Sequence, residues 1–223
     1  MKKTFTVLNI ILFAAAAALM VWYDLEGGLW LKGVTASSFV ALGLVNLIYG
    51  LLNRSGKYPV WMAVGLFTCM IGDIVLNIEF IYGACIFAAG HVLYCIAFCC
   101  LLKPKAADLI PIGAVFAVAI MILKLVPTLD FGSALMEYIC IGYALVISCM
   151  VGKAIANFLR QRSTVTALLL VGGILFFFSD LMLLLNCFGD APKITDTLCL
   201  YSYFPAQCLP AHSVYHFVHK TVS

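Results

Sequence analysis

Gly72-Asp73-Ile74-Val75-Leu76-Asn77 lies inside a long apolar run. A carboxylate at the centre of a bilayer helix costs roughly 2.5–3.5 kcal/mol on insertion scales. A chain that carries one there generally uses it, so this stretch decides how the rest is read. A second stretch of the same design, Phe178-Ser179-Asp180-Leu181, follows in the second half of the chain.

The runs around these stretches set the class. The chain has 223 residues, is 65% hydrophobic and only 10% charged, and has a mean hydropathy of +1.11. A soluble domain is nearer half apolar and a quarter charged. The chain therefore reads as all-α, a polytopic integral membrane protein forming a single domain over residues 1–223. Eight apolar runs, each near the ~20 residues a bilayer requires, fall at 5–23, 34–52, 60–78, 83–102, 109–126, 133–152, 164–186 and 197–217. Turn-forming clusters such as Glu26-Gly27-Gly28, Asn53-Arg54-Ser55-Gly56, Lys103-Pro104-Lys105 and Gly189-Asp190-Ala191-Pro192 separate them. The start, Met1-Lys2-Lys3 and an apolar run, resembles a signal peptide. That run is long for one and continues into Trp22-Tyr23-Asp24, so it reads as a retained first span.

Basic residues set the orientation. Lys2, Lys3, Arg54, Lys57, Lys103, Lys105, Lys153, Arg160, Arg162 and Lys220 fall at the termini and even-numbered loops, against Lys32, Lys124 and Lys193 on the other side. The positive-inside rule then puts both termini in the cytoplasm. The Met-Lys-Lys start and short loops point to a bacterial inner membrane. No concentrated basic face exists, which excludes nucleic acid as a partner.

With that orientation, spans three and seven both run outward. At ~1.5 Å per residue they carry Asp73 and Asp180 into the outer half of the membrane. His91 of span four, and Tyr203 and Gln207 of span eight, reach the same layer. Spans three and seven are each third in a set of four, which suggests a 4+4 pseudo-repeat with the acids facing each other.

Each group also has a plainer reading. Asp73 and Asn77 are four apart and share a helix face. Asn77 could bond a neighbouring helix, with Asp73 a structural partner of His91. Asp180 has Phe176, Phe177, Leu183 and Leu184 around it on the helix, an apolar setting unless it lies at the membrane interface. His91 and Tyr94 share a face, although a lone histidine is as readily a buried hydrogen-bonding group. His212 and His216 have metal-ligand spacing, but His219 and Lys220 beside them place them at the cytoplasmic interface. Glu79 reads as loop charge and Glu137 as a rim residue. The ten cysteines include no C-x-x-C pair and read as small buried hydrophobes. Cys187 and Cys199 flank one loop and could pair on an oxidising side. No nucleophile elbow, phosphate loop, zinc-protease motif or dinucleotide fingerprint occurs, so no cofactor and no metal are assigned.

Gly72-Asp73, then Gly83, Phe87, His91, Tyr94 and Phe98, resemble the first signature of the YhhN family of membrane lysoplasmalogenases. Gly173-Ile174-Leu175-Phe176-Phe177-Phe178-Ser179-Asp180 is similar to its second, and Tyr203 and Gln207 in Tyr-Phe-Pro-Ala-Gln to its third. The resemblance covers most of the chain from about residue 35 onward. The histidine-rich tail after Gln207 is not part of it, and Pro205 and Pro210 are expected to kink the last span.

The resemblance implies hydrolysis of the vinyl ether bond of lysoplasmalogens to a fatty aldehyde and glycerophosphoethanolamine or glycerophosphocholine. It makes Asp73 and Asp180 the catalytic pair, with Asn77, His91, Tyr94, Tyr203 and Gln207 binding or orienting the substrate. The partners would be a lysophospholipid and bilayer lipids, with the oligomeric state open. Apolar surroundings suit Asp180 as general acid, and Asn77 and His91 suit Asp73 as ionised base. The alternatives are a proton-coupled small transporter, and a metal-dependent lipid hydrolase using His91, His212, His216 and the aspartates.

Overall fold

A computed structural model describes residues 2–222, with side chains as far as Lys220. Among the described residues there are eight long helices and no strand. They are α1 Lys2–Glu26, α2 Leu29–Leu52, α3 Tyr58–Leu76, α4 Phe80–Leu101, α5 Leu109–Leu125, α6 Ala134–Arg160, α7 Thr164–Phe188 and α8 Ile194–Val222. A short 3₁₀ turn, Ala106–Asp108, leads into α5. A backbone in lipid must satisfy its own polar groups, and these uninterrupted apolar runs do so as helices. Gly27 (φ 68°) and Gly28 (φ 91°) take the left-handed backbone that turns the chain out of α1. Ser133 and Ser163 accept the amide protons of Met136 and Thr166 and so cap α6 and α7.

α1 to α7, the fifth taken with its leading turn, are each long and apolar enough to cross a membrane. The chain is thus a multi-pass helical protein. The expected eighth run, 197–217, lies in α8, a helix of 29 residues that is less apolar than the others. The reason is its place: α8 packs against α1, α2, α3 and α7. Its neighbours are protein rather than lipid, so Ser202, Gln207 and Ser213 can be buried along it with partners. Both prolines, Pro205 and Pro210, sit within this one helix.

Two helix ends differ from expectation. α2 starts at Leu29 rather than residue 34, which puts Lys32 inside the helix. α6 runs past residue 152 to Arg160. It can do so because the buried Lys153 meets Asp108 at 2.6 Å, and Arg160 meets the same carboxylate at 3.2 Å. The bases thus tie α6 to the turn before α5.

Small residues bring α3 and α4 together. A Cβ on Gly83 would overlap the backbone of Leu76, and one on Gly65 would sit 2.7 Å from the Tyr94 ring. Glycine here permits the close approach that packs helices in lipid. Phe87 and Phe176, with Tyr203 of α8, stack in edge-to-face contacts at the centre of the bundle. A second polar layer joins α1, α2 and α8. Asn9 and Asn46 exchange hydrogen bonds, and His212 Nδ1 lies 2.8 Å from Asn9 Oδ1.

Candidate active site

A cavity of about 530 Å³ lies among the ends of the helices joined by the α1–α2, α3–α4 and α7–α8 connections. Asp73, in the last turn of α3, and Asp180, about two turns before the end of α7, both line it. Asn77 and Tyr203 line it as well. The mouth carries Asp24 and Asp196, held by Tyr201 and Asn186.

Asp73 is 3% exposed. Lys32 of α2 reaches it, with Nζ 3.0 Å from Oδ1. Oδ2 is buried and has no hydrogen-bond partner among the described residues. Asn77 caps α3 and donates to the backbone carbonyl of Asp73 at 2.6 Å, not to its carboxylate. It therefore fixes the end of the helix on which Asp73 stands.

Asp180 has a different set of partners. Tyr143 of α6 donates to its Oδ2 at 2.7 Å. His91 Nε2 is 2.9 Å from the Tyr143 hydroxyl and 3.4 Å from the same Asp180 oxygen. Since Tyr143 gives its proton to Asp180, its oxygen accepts from the His91 Nε2–H. Tyr143 bonds Oδ2 and His91 stands 3.4 Å from the same oxygen, which leaves Oδ1 for a bound molecule.

The alternative pairing of His91 with Asp73 is thus corrected. His91 lies in the middle of α4, where α6 packs against it and presents Tyr143. Asp73 lies near the α3–α4 connection, where α2 presents Lys32 instead. The other two residues singled out form a line behind the cavity. The Tyr94 hydroxyl donates to Gln207 Oε1 at 2.5 Å, and Gln207 Nε2 donates to the Tyr203 hydroxyl at 3.2 Å. Tyr94 and Gln207 are fully buried and reach the cavity only through Tyr203.

His212 bonds Asn9 and packs edge-on against His216, away from both aspartates. Among the described residues no three His, Cys, Asp or Glu side chains are grouped as metal ligands. All ten cysteines are free, including Cys187 and Cys199.

Lys32 and Tyr143 were missed by the sequence reading. A signal for each exists. Lys32 lies one turn into α2 and Asp73 one turn from the end of the antiparallel α3, so they share a level. The same count from the α6–α7 ends levels Tyr143 with Asp180.

The fold and the cavity define a class: a multi-pass membrane protein in which two helices each bring one aspartate to a shared polar cavity. The chain belongs to the YhhN family, whose model matches residues 30–214. That match spans both aspartates and the side chains that contact them. No curated protein and no solved structure matches the chain.

Proposed function

We propose that the protein is a lysoplasmalogenase, a hydrolase that cleaves the vinyl ether bond of lysoplasmalogens. The observation that carries the reading is the placing of two differently partnered carboxylates on one cavity. Membership of the YhhN family supports it.

The reaction needs one acid protonated and one ionised, and unlike surroundings provide that division. Asp73 has Lys32 as counter-ion and is assigned the ionised role. Asp180, bonded by the Tyr143 hydroxyl with the His91 imidazole 3.4 Å away, and set among Phe177, Leu183 and Leu184, is assigned the general acid. Asp180 gives its proton to the β-carbon of the vinyl ether, and an oxocarbenium ion forms at the α-carbon. Asp73 stabilises that charge and takes a proton from the water that adds there. The hemiacetal then gives its hydroxyl proton to Asp180 as the carbon–oxygen bond breaks. Asp73 returns its proton to the departing glycerol oxygen. The aldehyde and the glycerophospho-alcohol leave, and both acids are restored. His91 and Tyr143 orient Asp180, and the Tyr94–Gln207–Tyr203 line holds the cavity wall.

The helix packing supports a repeat of two four-helix halves. Advancing each number by four takes α1–α2 to α5–α6, α2–α3 to α6–α7, α3–α4 to α7–α8, and α2–α8 to α6–α4, all of which are contacts in the bundle. The α1–α8 and α3–α8 contacts have no such counterpart. In this scheme Asp73 and Asp180 are equivalent, and each is met by the preceding helix, by Lys32 or by Tyr143. All eight helices would cross the membrane, with both termini cytoplasmic and the cavity opening on the far side.

The test is product analysis of purified protein with a lysoplasmalogen beside an acyl lysophospholipid. Aldehyde from the first and no fatty acid from the second is the expected result. Fatty acid from the acyl lipid, or no product from either, would overturn the reading, and movement of substrate without cleavage would favour a carrier.

A further inference from the structure

We propose that the aliphatic chain of the substrate leaves the cavity past Asp180 and lies in the seam between α4 and α7. It then passes over α6 into the cleft between α5 and α7. The proposal rests on the hydrolase reading and says where that substrate lies.

Asp180 is the side chain common to three spaces. It lines the polar cavity and two smaller apolar clefts, of about 60 and 70 Å³. The first cleft runs between α4 and α7, with Ala84 and Phe87 on one wall, Leu183 on the other, and Cys140 and Tyr143 of α6 across it. It shares Leu76, Phe80, Phe87 and Leu183 with the polar cavity, so the two adjoin along these side chains. The second cleft shares Cys140, Tyr143 and Leu184 with the first and ends on Ala119 and Ala144.

The packing explains why these clefts exist. α6 packs against α4, α5 and α7, but α4 and α5 make no backbone approach to α7. The α4–α7 seam is bridged by side chains alone. His91 meets Phe176 at a ring distance of 4.6 Å, and Phe80 meets Phe188 at 5.4 Å. Phe87 also reaches Phe176, at 6.4 Å, and apart from Asp180 and Cys140 the walls of the cleft are aliphatic or aromatic. Such a seam suits one hydrocarbon chain.

The chemistry selects the occupant. In a vinyl ether the reacting carbons are the first two atoms of the chain. The proton donor must therefore stand where polar room ends and apolar room begins. Asp180 stands there, while Asp73 lines the polar cavity. The clefts are small beside the cavity, so they hold the first part of the chain and the rest enters the lipid.

Two measurements test this. The first uses a lysolipid with a saturated ether link, which cannot be hydrolysed in this way, carrying a photoreactive diazirine near the top of its chain. Labelling of wild-type protein should fall on 139–143 and 183–188 and be competed by unlabelled lysolipid. Labelling spread over lipid-facing positions such as Val7, Ile10 and Ile11 would overturn the path. The second compares long-chain and short-chain lysoplasmalogens. Ala84→Trp should lower aldehyde release from the long chain relative to the short one by about tenfold, the size expected from losing contact with two methylenes. Val92→Trp, on an exposed part of α4, should leave the ratio unchanged. An unchanged ratio in a folded Ala84→Trp protein would contradict the path. Because labelling needs no turnover, the two readings fail separately. Labels on α6 and α7 without aldehyde release would leave the chain site standing and sink the hydrolase. Aldehyde release with labels elsewhere would do the reverse.

Discussion

Lys32 of α2 and Asp73 of α3 form an ion pair, Nζ to Oδ1 3.0 Å, in the wall of the cavity that Asp180 also lines. The lysine side chain is 16% exposed and the aspartate 5%, so water screens the pair little. Removing one partner of a buried pair leaves an uncompensated charge and typically costs ~3–5 kcal/mol. Lys32→Met should therefore lower the thermal midpoint in detergent, and adding Asp73→Asn should restore much of the loss. A Lys32→Met protein as stable as wild type would show that the pair does not form.

Tyr143 links His91 to Asp180 through one hydroxyl. Tyr143→Phe keeps the ring and removes the link, leaving the buried His91 Nε2 without its hydroxyl partner. We expect about a tenfold loss of activity, less than for either aspartate, since general acid–base groups contribute ~10²–10⁴-fold. His91→Ala should act similarly, and the double variant should be no worse than the stronger single. Groups in one network couple by about 0.5–3 kcal/mol. Additive losses in this cycle would mean that the two residues act separately.

Gly56, Lys105 and Gln161 lie in the α2–α3, α4–α5 and α6–α7 connections. Cysteine substituted at each should react with a membrane-impermeant thiol reagent only from the cytoplasmic side. Reaction of any one from outside would break the alternation on which the eight-span topology rests.

Much of the fold was legible because the bilayer constrains it so strongly. Apolar runs and glycine-rich breaks give all eight helices, with most ends close and the start of α2 and the end of α6 set too tightly, because charged Lys32, Lys153 and Arg160 read as loop residues. α8 was the harder case: its composition is set by helix neighbours rather than by lipid, so hydropathy alone ranks it below the other seven. The candidate site was legible where it is expensive. Asp73 and Asp180 stand out because a carboxylate has no ordinary reason to lie in an apolar run. Their partners were not legible, since partner choice depends on which helices touch. Lys32 looked like a loop cation because the α2 start was placed too late. Tyr143 looked like any tyrosine in an apolar helix. Helix depth puts His91 in the layer of both aspartates and does not choose between them; the packing of α4 on α6 does.

The central claim is that Asp73 and Asp180 act together on a vinyl ether. The most direct measurement is aldehyde release from a lysoplasmalogen by wild type, Asp73→Asn, Asp180→Asn and the double variant, in matched detergent preparations. Asparagine keeps shape and polarity but neither holds the charge nor delivers the proton. Each single variant should lose about 10²-fold or more, and the double variant should be scarcely worse than either, as groups acting as a unit behave. Wild-type rates of aldehyde release in either single variant would contradict the account.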